Sequence, residues 1–347
     1  MRNIIYNLPE QIKDAWKINV HVKKQRRNYE NIVISGMGGS GIGGDILKAL
    51  TLQTLKVPLV TVKDYQIPGF VNRNTLFIAV SYSGNTEETI STVYEAKNRN
   101  AHIVAITSGG SLWELCKKYQ IDCIDIPSGI SSRCAIGYLF FPQLKILSSL
   151  NFVKDMQKDV SETINVLIRY RNYYERFAKK FATSLIGSLP IIYATSHILA
   201  PVATRWQTQF NENAEIIAHS NVFPELDHNE IMGITNTNPL VPIYCLILTD
   251  SASHPRNLLR VKYTLKILQR EFTNSNSRNF FKVKKFVARG SSPLAKIFSM
   301  IMLGDFISFY LAHARGIKPE IIRAIDELKK MLSNNNKLIK HKGEKNV

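Results

Sequence analysis

Carboxylates are scarce in this chain. Its 347 residues carry 27 Asp and Glu against 45 Lys and Arg, a formal net charge of +18. A field of that sign draws in phosphates, nucleic acids and acidic surfaces, so an anionic ligand is expected. The densest basic runs, HVKKQRR at 21–27 and KLIKHKGEK at 337–345, come with no helix-turn-helix, zinc-finger or RNA-recognition pattern. They read as solvated faces and a tail, and no nucleic-acid partner is expected. Cysteine is scarce too: Cys116, Cys123, Cys134 and Cys245 form no CxxC pair. Irregular spacing in a chain of this size suits reduced, mostly buried thiols and argues against a disulfide framework or a zinc knuckle. Long apolar runs are missing as well. The closest, 297–314, is broken by Asp305 and reads as a buried helix, so no membrane span is expected. The opening MRNIIYNLPEQIKD has neither the apolar core nor the cleavage site of a secretory signal, so a cytoplasmic location is expected.

What is present is alternation. After a helical stretch at about 7–29, strand-like runs at 31–35, 57–62, 76–80, 102–106 and 121–124 alternate with helix-like segments, which predicts a doubly wound, mostly parallel α/β sheet. A polar-apolar stretch at 152–182 predicts one or two bridging helices. The rhythm then repeats, with strands near 190–194, 215–219, 241–248 and 283–287 and helices near 198–211, 254–270, 293–314 and 319–332. TNSNSRN at 273–279 reads as a turn. The expected organisation is a helix plus first α/β domain over 1–151, linking helices plus a second over 152–335, and a basic, disordered tail at 336–347.

The first strand runs into ISGMGGSGIGG, which contains Gly36-x-Gly38-x-x-Gly41. Glycines there let the backbone turn sharply and expose N–H groups at the start of a helix expected from about Ile42, which makes an anion site. A dinucleotide pyrophosphate is one occupant, with Asp64 near the end of the second strand placed for a ribose. An NAD(P)-dependent dehydrogenase is therefore one reading. The third strand runs into SYSGNTEET, where Ser81, Ser83 and Thr86 stand beside another helix start that Asn85 could cap, with Glu88 three residues on. Hydroxyls at a helix N-terminus make a basket for a phosphate dianion. A second such loop is superfluous for a pyrophosphate and weighs toward a phosphorylated substrate.

The two loops resemble the sugar isomerase (SIS) domain. PSGISSRCAIGYLFFP at 127–142, RWQTQFNENAE at 205–215, PELDHNEI at 224–231, and GDFISFYLAHARGIKP followed by AIDELKK resemble the bifunctional phosphoglucose/phosphomannose isomerases of archaea and some bacteria. The resemblance covers about 30–330. It implies two tandem SIS domains and an intramolecular oxidoreductase that interconverts glucose 6-phosphate and mannose 6-phosphate with fructose 6-phosphate through a cis-enediol. No metal and no cofactor are implied, and the partner is a second copy, the active site being shared in a homodimer. Glu212 matches the family's base, which moves the proton between C1 and C2. Arg133 matches the cation that stabilises the enediolate, and His228, from the other subunit, the ring-opening proton shuttle. Gly38, Gly39, Ser40, Ser81, Ser83 and Thr86 carry over as phosphate-binding residues. Lys329 carries over as an active-site lysine, with Lys330 the neighbouring register. The segment before it departs from the family's usual threonine-proline, having Glu320 and Ile321. His219, at a strand end, reads as structural. An SIS-type regulatory protein that binds sugar phosphates is the remaining alternative.

Overall fold

A computed structural model describes residues 1–23, 28–235, 241–251, 253–274 and 280–334. The expected tail and most of the basic runs lie outside these residues, as does all but the start of the expected turn at 273–279. The chain opens with α1 (Arg2–Tyr6) and α2 (Leu8–Lys17). The helix expected to about residue 29 thus stops at Lys17. Ile18-Asn19-Val20-His21-Val22 alternates with period two and supplies no helical face, and Ile18 already turns extended at ψ 129°.

The first sheet contains β1 (Asn31–Ser35), β2 (Leu59–Val62), β3 (Thr75–Ser81), β4 (His102–Thr107) and β5 (Asp122–Asp125), all parallel, in the order β2-β1-β3-β4-β5. Every residue of β1, β3 and β4 is buried, as near-continuous apolar strands require when helices cover both faces. Those helices are α3 (Gly38–Thr51), α4 (Glu87–Asn98), α5 (Gly110–Tyr119) and α6 (Ile136–Ser149). The long α7 (Gln157–Phe181) crosses to the second sheet. There β6 (Leu189–Ala194), β7 (His219–Val222), β8 (Ile243–Thr249) and β9 (Phe281–Val287) lie parallel in the order β7-β6-β8-β9. They alternate with α8 (Ala200–Ala214), α9 (Glu230–Thr235), α10 (Pro255–Asn274) and α11 (Pro293–Ala314), and α12 (Arg323–Asn334) follows. The expected strand at 215–219 begins only at His219. Glu215 ends α8 in the left-handed region at φ 50°, which delays the return to extended backbone.

In each sheet the chain leaves its first strand to one side and returns on the other, β1 to β2 to β3 and β6 to β7 to β8. The crevice between β1 and β3, at their carboxyl ends, is where ligands of such sheets bind. One continuous apolar cluster joins the two halves through α3, α6, α7, α8 and α11. Helix α11 is long and apolar enough to cross a membrane, yet it is almost wholly buried among its neighbours, as a core helix is.

Candidate active site

Two loops meet in the crevice between β1 and β3. Helix α3 begins at Gly38, four residues before the expected start, so Gly38, Gly39 and Ser40 form its first turn, where backbone N–H groups have no intrahelical partner. Ser40 is buried, and its Oγ accepts the Tyr82 N–H at 3.1 Å, tying the first loop to the second. In the second loop the Ser81 and Thr86 hydroxyls are 2.9 Å apart. The Ser81 Oγ accepts Gly84 N–H at 3.1 Å and the Ser83 Oγ accepts Asn85 N–H at 3.2 Å. Ser81 is fully buried and Ser83 exposed. Asn85 does not cap α4. Thr86 is the N-cap residue there, its hydroxyl making no bond to the helix backbone, while the Asn85 Oδ1 accepts Ser111 N–H at 2.9 Å at the start of α5. Gly84, at φ 70°, passes so close to Gly109 that a Cβ would lie 1.7 Å from its carbonyl oxygen, which is why the loop folds onto α5.

Arg133 sits in a 3-10 turn, Ser132–Cys134, beside the first turn of α3. A Cβ on Gly39 would lie 3.0 Å from the Ser132 carbonyl and 3.1 Å from the Arg133 Cα, so glycine lets the two segments touch. The guanidinium is buried. Its Nε donates to Asn213 Oδ1 at 2.8 Å, Nη2 donates to the Pro319 carbonyl, and Nη1 lies 3.9 Å from Glu212 Oε2. Glu212 is in the last turn of α8, with about a quarter of its side chain exposed. Burial pushes its carboxyl above the ordinary glutamate value, opposed by the positive charges of Arg133, Arg205 and Lys329. The Lys329 charge therefore reaches Glu212 although the lysine is exposed on α12.

His228 stands apart. It is exposed at the end of the 3-10 turn Glu225–His228, and no hydrogen bond or ion pair among the described residues joins it to Arg133 or Glu212. His219 opens β7 and lies 3.0 Å from Glu230 Oε2, which also accepts from Asn221. Asp64, placed for a ribose in the dinucleotide reading, accepts the N–H of its own neighbour Tyr65 at 2.6 Å.

Residues 27–122 match the SIS domain family, and residues 175–332 match the bacterial phospho-glucose isomerase C-terminal SIS domain. A bifunctional phosphoglucose/phosphomannose isomerase of Caldicellulosiruptor bescii is 38% identical over 95% of this chain and 98% of its own. The chain belongs to the bifunctional phosphoglucose/phosphomannose isomerase family. The family's member from Thermoplasma acidophilum is 39% identical over 88% of this chain and 90% of its own. In fold, the chain is similar to the C-terminal domain of glucosamine-fructose-6-phosphate aminotransferase from Francisella tularensis. The TM-score is 0.66 at 16% identity, with 90% of this chain and 95% of that one covered.

Within this member of the family, the residues that hold Arg133 were not singled out from sequence. Asn213 Nδ2 donates to Ser308 Oγ at 2.9 Å, Arg205 donates to the Arg133 carbonyl at 2.8 Å, and Arg205 forms a buried ion pair with Asp305 at 2.8 Å. Gln209 donates to the same Asp305 at 2.9 Å. A signal was there: Arg205, Gln209 and Asn213 recur every four residues in RWQTQFNENAE and so share one face of a helix, next to the large apolar Trp206 and Phe210.

Proposed function

We propose that the protein interconverts glucose 6-phosphate and mannose 6-phosphate with fructose 6-phosphate. The observation that carries the reading is the buried Arg133 guanidinium 3.9 Å from the Glu212 carboxylate, beside a hydroxyl-lined cradle. The substrate phosphate sits on the first turn of α3 and the hydroxyls of Ser40, Ser81, Ser83 and Thr86, which leaves C1 and C2 toward Glu212. Glu212 takes the proton from C2 of either aldose and returns it to C1. The enediolate charge that develops between the two steps is held by Arg133, whose position is fixed before substrate arrives. Lys329 adds to the positive charge that favours the basic form of Glu212 and approaches the sugar hydroxyls.

Because Arg133 supplies the positive charge, the reading calls for no metal and no cofactor. His228 opens the ring from a second copy of the chain, in a homodimer whose two active sites are shared, in the cytoplasm. The division at about residue 151 places the cradle and Arg133 in the first domain and Glu212, His228 and Lys329 in the second.

The test is to supply the purified protein with each aldose phosphate in the presence of a chelator and to measure fructose 6-phosphate. Both substrates yield product. Absence of both activities removes the reading in favour of a sugar-phosphate-binding regulatory protein, and loss on chelation removes the metal-free mechanism.

A further inference from the structure

Tyr82, within the second of the two loops, touches both the first loop and the segment that leads to Arg133. Its backbone N–H donates to Ser40 Oγ at 3.1 Å. Its carbonyl accepts from Ser108 twice, from N–H at 3.1 Å and Oγ at 2.6 Å. Its ring is buried in the main core cluster. The hydroxyl leaves the core at the far end of that ring, donating to the Pro127 carbonyl at 3.0 Å and accepting the Ile130 N–H at 3.0 Å. Residues 127–129 are otherwise exposed, and the chain from Pro127 leads within a few residues into the Ser132–Cys134 turn that carries Arg133. Burial raises the phenol above its ordinary value, so it stays a neutral donor throughout the working range of an isomerase.

We propose that Tyr82 is a positioning residue: its hydroxyl clamps the 127–130 loop and so holds the Arg133 guanidinium in register with the phosphate cradle that its backbone helps to build. The inference rests on the role proposed for Arg133 above. One side chain thereby links the group that binds phosphate to the group that stabilises the enediolate, which fixes the distance between the two ends of a six-carbon substrate. Removing the hydroxyl leaves the backbone bond to Ser40 in place and frees the loop alone.

The experiment is Tyr82→Phe in the full-length protein. The kcat for glucose 6-phosphate falls about tenfold, while KM and the inhibition constant of inorganic phosphate stay within about twofold of wild type. Amide exchange over 127–133 accelerates about tenfold or more, and exchange in β1 and β3 does not change. An unchanged kcat overturns the proposal, and so does phosphate inhibition that weakens in step with kcat, because the hydroxyl would then support the cradle. Acceleration that extends through β1 and β3 overturns it too, placing Tyr82 in the core at large. If the wild-type protein has no isomerase activity the function proposed above falls by itself, and the exchange measurement still decides the clamp.

Discussion

Glu212 is placed where a carboxylate is penalised, about three-quarters removed from water in the last turn of α8, with Arg133, Arg205 and Lys329 offsetting part of the penalty. Its folded pKa lies above the unfolded one. Such a group contributes stability below its unfolded pKa and loses that contribution as pH rises through its folded value. Above its folded pKa the ionised Glu212 therefore weakens the fold it serves. Glu212→Gln is expected to lower kcat about 10²-fold or more with substrate affinity nearly intact, and to leave the melting temperature at pH 7 equal to or above wild type. Steady-state kinetics and thermal unfolding on one preparation check both halves. A normal turnover in this variant would move the base elsewhere. The acid limb of kcat/KM in the wild type should lie above the ordinary glutamate range, and Lys329→Met should move it further up, since one of the charges favouring the carboxylate is gone. The resemblance singles out Glu212 and Arg133 because its motifs are local, whereas the residues alone left five other glutamates in competition with Glu212. The 3.9 Å approach of Arg133 to Glu212 is not visible in the sequence, since it joins a turn after β5 to the last turn of α8 through tertiary packing.

At the scale of elements, α8 and α11 decide where the site residues point. Asp305 interrupts the mostly apolar α11, and the sequence marks it only as a break; the structure makes it the partner of Arg205 and Gln209 on α8. The stripe Arg205, Gln209, Asn213 thus meets Asp305 and Ser308 along one seam, and the end of that seam holds Arg133. A buried ion pair adds little over apolar packing, but half of one is costly. Asp305→Asn should lower unfolding stability by about 3 kcal/mol, and the double change Arg205→Met with Asp305→Leu by less than that single change, both read by chemical denaturation. A single substitution within about 0.5 kcal/mol of wild type would show the pair to be dispensable. Strand positions along the first sheet were readable because fully buried parallel strands are short unbroken apolar runs. The early end of α2 and the late start of β7 were not, because both depend on one or two residues, Ile18 and Glu215, taking backbone angles that periodicity does not record.

For the whole molecule, His228 poses the largest question. The cradle, Arg133, Glu212 and Lys329 converge within one chain, whereas His228 sits exposed on the turn before α9 without a link to them. In the proposed homodimer the twofold axis resolves this, because each His228 completes the other subunit's site and every closed dimer holds two such sites. The consequence can be read by complementation. His228→Ala and Glu212→Gln are each expected to be nearly inactive as pure dimers. In a mixed dimer one site carries both substitutions and the other carries neither, so that site works at the wild-type rate. An equal mixture that exchanges subunits at random has half its dimers mixed and recovers about a quarter of wild-type activity. Activity that stays at the level of the separate variants after exchange, with mixed dimers verified by mass, would place both residues in the same subunit's site. The exposed turn would then have to fold toward Glu212 within its own chain.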